Sequence, residues 1–266
     1  MTQKQQIFLL GISQRSGTNF LMKLLEKHPN IIKSSHPGED FIIHNSNHLL
    51  KHVSETQNCW NTIWKGMDKD KYGKKYLDYI SNALIDYLSP NTDIKEHQYC
   101  ITKTPSVENI DNFFKLFPQS KLIILVRNGK DIIESGVKGF GWNYTNAMKM
   151  IRRRGELIID FIKENDKNNK NFIVVKYEDL VEDTEKSIKK IFNQFKIDDS
   201  LFNYDLNDIP VYGSSFNKDE KDHVSWEPQK KNKEFTSLKR TKNWSYFMNL
   251  KYTFFCSNID KYFNYK

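Results

Sequence analysis

Arg15, Ser16, Gly17 and Thr18 are the residues of this sequence best suited to hold an anion. Residues 7–10 before them are all apolar, which fits a short buried strand, and Gly11 then opens a turn. After them, Phe20, Leu21, Leu24 and Leu25 fall on one face of a helix. Strand, glycine-containing turn and helix together form a phosphate cradle. The free N–H groups of a helix's first turn, and its dipole, both favour negative charge there. Gly17 lets the backbone come close to a ligand, Ser16 and Thr18 add hydroxyl donors, Arg15 adds a fixed charge, and Asn19 completes the set. The same letters also suit a plain serine-capped helix after an edge strand. A nucleoside triphosphatase loop reads GxxxxGK[ST], but here Thr18 follows Gly17, so the lysine that reaches the outer phosphates is missing. The loop is expected to bind a phosphate without hydrolysing ATP or GTP.

Two other strand ends carry matching groups. Lys103 follows a short strand over residues 99–102, and Arg127 follows the clearest buried strand of the chain, KLIILV over residues 121–126. Ser135 stands eight residues after Arg127, roughly two helical turns away. A strand-end arginine and a helix serine at that separation can clamp one phosphate from two sides. Each alone would pass as a surface cation and a helix-face serine. In an open parallel sheet, ligands bind beyond the carboxyl ends of the strands, so all three ends can converge on one polyanion.

The elements that must position these residues follow from the pattern. His28-Pro29-Asn30 stops the first helix. Residues 34–71 read as loop and short helices lying over the carboxyl end of the first strand, and 72–88 has helical spacing. Helices are expected over 107–116, from Gly129 with Asp131 in its first turn, over 144–165, over 182–195 and over 244–262, with a further strand at 172–175. Strands alternating with helices imply an α/β protein: a single three-layer, doubly wound domain around a parallel sheet. No repeat or linker suggests a second domain within residues 1–266.

The net charge of +8, from 41 Lys+Arg against 33 Asp+Glu, favours an anionic ligand. Nucleic acid has only this charge in its favour, with no reader motif. Three scattered cysteines, Cys59, Cys100 and Cys256, lack metal or redox spacing and fit a reducing compartment. No apolar run reaches the length of a membrane span, and the first strand begins almost at once. A soluble cytoplasmic protein is the expectation.

Taken jointly, the motifs resemble the sulfotransferases that use 3′-phosphoadenosine 5′-phosphosulfate (PAPS), especially bacterial members close to tyrosylprotein sulfotransferases. GISQRSGTN is similar to their 5′-phosphosulfate loop GxPRSGTT, with one extra residue before the arginine and Asn19 for the second threonine. VRNGKDIIES resembles their 3′-phosphate segment, carried here by Arg127 and Ser135; KTP resembles the lysine segment at Lys103, and KYEDL their usual strand-to-helix turn. GSSF, SWEP and a distal KNW are similar to their C-terminal region, so the likeness runs from Ile7 to about Trp244. The resemblance implies a P-loop-like sulfotransferase fold, PAPS as donor, 3′-phosphoadenosine 5′-phosphate (PAP) as product and a hydroxyl acceptor.

Sulfuryl transfer needs in-line positioning, cationic donors and a base, by analogy with phosphoryl transfer. Arg15 and Lys103 can supply the cationic stabilisation, so no metal is expected. The resemblance places a glutamate base after the first helix, and Glu39 fills that place, with His36 and Asp40 as rivals. Tyr177 either packs near the adenine or closes the core. Lys239, Arg240 and Lys242 could cover the cofactor as the family's basic C-terminal loop does. Arg152, Arg153 and Arg154 read as a solvated face or a contact for an acidic acceptor. Carbohydrate, tyrosine and small-molecule hydroxyls all remain open as acceptors, and Trp60, Trp64, Phe140 and Trp142 either line that site or fill the core. The sequence does not show an oligomeric state. Two other classes stand beside this reading. A P-loop kinase would need the missing lysine and a magnesium-binding aspartate. A noncatalytic nucleotide binder would keep the loop and Arg127 but tolerate loss of Glu39.

Overall fold

The computed structural model describes residues 5–60, 66–90, 95, 97–165, 171–203, 241 and 244–265, with 214–218 and 224–225 as backbone. Five strands form one sheet: β1 (Gln5–Gly11), β2 (Ile31–Lys33), β3 (Tyr99–Thr104), β4 (Lys121–Val126) and β5 (Phe172–Lys176). Their order is β2-β3-β1-β4-β5, and every pairing is parallel. β1 lies in the middle, so its carboxyl end opens between those of β3 and β4.

The near-continuous apolar strands reflect burial on both faces. Successive side chains alternate between two cores. Ile7 and Leu9 join Ile123 and Leu125 against Leu21, Leu24 and Leu25 of α1 (Thr18–Leu25) and the apolar face of α8 (Thr184–Phe195). Phe8, Leu10, Leu122 and Ile124 face the other way, onto α5 (Gly129–Phe140), α6 (Tyr144–Asn165) and the C-terminal helix α9 (Tyr246–Tyr262). The expected three-layer α/β architecture is therefore present. α9 is docked by a polar tie. Buried Glu134 on α5 accepts from Trp244 Nε1 at 2.8 Å and from Tyr144 Oη at 2.9 Å. Burial alone would raise this carboxyl, but the hydrogen bonds from Trp244, Lys138 and Tyr144 hold it below its ordinary value.

Several local expectations are corrected. Residues 34–71 hold a full helix, α2 (Ser46–Cys59), whose only buried residues are Ser46 and Val53; so little apolar surface leaves no periodicity to read. It lies against α3 (Lys69–Leu88), which starts three residues earlier than expected because Asp68 caps it, accepting from the Lys71 N–H at 3.0 Å. Residues 107–116 are not one helix. Asn109 turns left-handed at φ 58°, leaving a 3-10 turn (Ile110–Asn112) and one helical turn, α4 (Phe113–Leu116). The helix expected over 182–195 is α8, which starts two residues later because Asp183 caps it by accepting from the Lys186 N–H at 3.0 Å, and a separate short helix, α7 (Tyr177–Glu182), precedes it. A short antiparallel pair, Ser214–Lys218 with Val224–Ser225, lies outside the main sheet. All three cysteines are free, and no described helix is long and apolar enough to cross a membrane.

Candidate active site

The loop from β1 into α1 is tightly wound. A Cβ on Gly11 would collide with Ser16 Oγ, and one on Gly17 would collide with the Tyr177 ring. Gly17 also caps α1 in the left-handed region at φ 100°, where a side chain is strained. Arg15 has φ 70°, a conformation costing a non-glycine residue of order 1–3 kcal/mol unless its surroundings hold it there. They do. Its Nε donates to Ser135 Oγ at 2.9 Å, its carbonyl accepts from Arg127 Nη1 at 2.7 Å, and its guanidinium lies 5.2 Å from the Phe140 ring centre.

Arg15, Arg127 and Ser135 are thus in direct contact, although 120 residues separate the ends of the set. Arg127 is only 5% exposed, and its guanidinium lies 4.4 Å from the Tyr177 ring centre. Tyr177 is buried in the α1/α8 core and covers both Gly17 and Arg127. Ser16 and Thr18 are buried as well. The Ser16 hydroxyl donates to the Ser13 carbonyl at 2.7 Å, so it braces the loop from within.

Lys103 sits one residue before the end of β3, opposite Leu9 of β1. Its Nζ lies 2.9 Å from Glu39 Oε1. Both line a cleft of about 540 Å³ together with Asn19 of α1, Met22, Pro37 and Phe41. The rivals to Glu39 are engaged elsewhere. Asp40 accepts from Thr102 Oγ1 at 2.6 Å and from the Ile42 N–H at 2.8 Å, so each of its oxygens is committed to the turn. His36 accepts from the Gly38 N–H at 3.2 Å through Nδ1, and its ring packs against Tyr87.

Of the aromatic candidates, Phe140 lies by Arg15 and Trp142 packs beside Phe140, whereas Trp60 packs on Tyr76 of α3. Lys239, Arg240, Lys242 and Trp64 lie outside the described residues. The basic run on α6 is not a free cationic face. Arg152 pairs with Glu156, while Arg153 and Arg154 both bind Glu108, and Arg154 is turned inward with 15% of its side chain exposed. Helical geometry sends consecutive residues about 100° apart, so three adjacent arginines cannot share one face.

Sequence reasoning missed Glu178. Its Oε1 accepts from the Asn128 N–H at 2.8 Å and so fixes the turn that presents Arg127. Burial raises its carboxyl above the ordinary range, outweighing that hydrogen bond and the nearby Arg127 charge. A carboxyl raised on folding stabilises the fold below the unfolded value of about 4.3, and this contribution is lost as pH rises through the folded value. Glu178→Gln keeps an acceptor for Asn128 and removes the titration. Its melting temperature relative to the parent is expected to rise between pH 4 and pH 7, as followed by thermal unfolding across that range; a relative fall would contradict the assignment.

Residues 6–200 match the family described as the Sulfotransferase family. The chain belongs to the sulfotransferase family. A Caenorhabditis briggsae protein named "Putative protein-tyrosine sulfotransferase" is 23% identical over 198 residues, which is 71% of this chain and 65% of that protein's length. The sulfotransferase domain of the curacin biosynthetic pathway superposes with a TM-score of 0.54 at 20% identity, covering 99% of this chain and 98% of that one. The sulfotransferase domain of the Synechococcus PCC 7002 olefin synthase gives 0.54 at 21% identity, covering 100% and 97%. At such identities these likenesses establish the sulfotransferase fold. Within that fold, this sulfotransferase has a glycine-containing loop at the central strand whose Arg15 is hydrogen-bonded to Arg127 and Ser135.

Proposed function

We propose that this sulfotransferase, with residues 1–266 as one domain, moves the sulfuryl group of PAPS onto a hydroxyl acceptor. The observation that carries this reading is the convergence on Arg15. One residue of the cradle is hydrogen-bonded directly to both Arg127 and Ser135, so a nucleotide with its 5′ group in the loop can reach the second pair with its 3′-phosphate. The backbone from Arg15 to Asn19, with Arg15 itself, would hold the 5′ side; Arg127 and Ser135 would hold the 3′-phosphate; Tyr177 keeps Arg127 oriented; Lys239 and Arg240 would cover the nucleotide.

PAPS supplies a sulfuryl group on a phosphate leaving group, so negative charge grows on both during transfer. Arg15 and Lys103 are placed to stabilise that charge without assistance from a metal. Glu39 accepts from Lys103 through Oε1 and lines the cleft, where it would take the proton of the acceptor hydroxyl. The ion pair serves both partners: it orients the carboxylate and keeps the lysine beside the reacting bond.

Calorimetry with PAP and with AMP tests the nucleotide half. PAP is expected to bind at least about tenfold more tightly, the scale of a charge-assisted contact to the added phosphate. Equal affinities would remove the 3′ assignment. Transfer from PAPS is expected to survive a chelator, and its abolition would favour a metal-dependent kinase-like chemistry.

A further inference from the structure

Resting on the reading just given, we infer that the acceptor carries an anionic group and that Lys33 is the residue that reads it. The cleft holding Glu39 and Lys103 also includes Lys23, Glu26 and Lys33. Four of these five charges cancel in pairs. Lys103 meets Glu39 at 2.9 Å, and Lys23 meets Glu26 at 2.6 Å. Lys33 is exposed at the carboxyl end of β2 and has no ion-pair partner among the described residues. Among the described residues, one uncompensated ammonium therefore lines the same cleft as Glu39.

Met22, Pro37 and Phe41 line the same cleft and give it apolar surface suited to the flat body of a phenol or similar small hydroxyl compound. Phe41 has φ 52°, and its N–H donates to Thr104 Oγ1 at 3.2 Å, which ties its backbone to the end of β3. An acceptor with its hydroxyl on Glu39 and its body against these apolar groups occupies the cleft that Lys33 also lines. A carboxylate, phosphate or sulfate there gains a charge-assisted contact; an ammonium meets a like charge. The carboxylate ends of Glu26 and Glu39 do not offset this, because each already faces its own lysine.

The test compares three phenols of similar size, 4-hydroxyphenylacetate, 4-ethylphenol and tyramine, as acceptors. The expected order of kcat/KM is anion, then neutral, then cation, with about tenfold or more between anion and neutral, carried by KM. Lys33→Glu is expected to bring that ratio to one or below, Lys33→Arg to retain it, and Lys149→Ala, on the exposed face of α6, to leave it unchanged. A ratio near one in the parent, or an unchanged ratio in Lys33→Glu, would overturn the inference. If none of the phenols is turned over, the transfer reading fails at that point, and calorimetric titration of 4-hydroxyphenylacetate into the PAP-mixed protein decides separately. Binding lost in Lys33→Glu supports the subsite; binding absent from the parent, or equal in both, overturns it. A tyrosine peptide with flanking glutamates, run beside the small anion, tells which source of the anion is preferred.

Discussion

Glu39→Gln is expected to bind PAP as the parent does and to transfer sulfuryl groups about a hundredfold or more slowly, the usual scale for loss of a general base. Glutamine has the size of glutamate, and its side-chain carbonyl can still accept from Lys103, so the cleft keeps its shape. It cannot take a proton at neutral pH. Lys103→Ala is expected to behave differently. A lysine beside the leaving group acts in both ground and transition states, so nucleotide binding and transfer should fall together. That variant also leaves Glu39, 31% exposed, without its counter-ion. His36→Ala is the comparison for the rival base. Its ring closes the turn at Gly38 and packs on Tyr87, so the expected loss of rate is within a fewfold. Turnover with any accepted hydroxyl compound, beside PAP titration of each variant, checks all three. Near-normal turnover in Glu39→Gln, with collapse in His36→Ala, would hand the base to the histidine.

The parts of this fold that were legible in the sequence are those buried on two sides. KLIILV reads as a buried strand because its five consecutive apolar residues after Lys121 leave no solvent face, and the structure puts all five out of reach of water. β2 was missed for the opposite reason: it has three residues at the sheet edge, and only Ile31 is buried. α2 was missed because it buries only Ser46 and Val53 and meets α3 through polar contacts such as Gln57 to Asp70 and His52 to Tyr76, which have no period in the chain.

The candidate site divides in the same way. Arg15, Arg127 and Ser135 were legible as types at strand ends, yet their mutual hydrogen bonds depend on β1 and β4 being neighbours, which no local pattern states. The pairing of Glu39 with Lys103 depends on how residues 34–42 fold back over β3. Asp40 and Phe41 stitch that segment to Thr102 and Thr104. Those bonds engage Asp40 with Thr102 and the Ile42 N–H while Glu39 meets Lys103, a difference between adjacent carboxylates that spacing alone does not state. Glu178 was invisible because its partner is a backbone N–H fifty residues away.

Arg127→Ala should weaken PAP by about 2–3 kcal/mol, roughly thirtyfold to 150-fold, while AMP loses far less. The size of the effect follows from burial. Arg127 is 5% exposed beneath Tyr177, so a phosphate meeting it exchanges water for a contact of low local dielectric, worth more than a surface ion pair. Some loss is expected for both ligands, because Arg127 also holds the Arg15 carbonyl at 2.7 Å and the alanine variant loosens the loop. The ratio of PAP to AMP affinity removes that shared part and isolates the 3′-phosphate. Ser135→Ala deletes one neutral hydroxyl and should reduce the ratio only severalfold. Arg127→Lys keeps the charge but loses the planar fork and the stacking on Tyr177, so it should recover part of the ratio and not all of it. If PAP and AMP weaken equally in Arg127→Ala, the arginine serves the loop alone, and the 3′-phosphate must be sought on other residues.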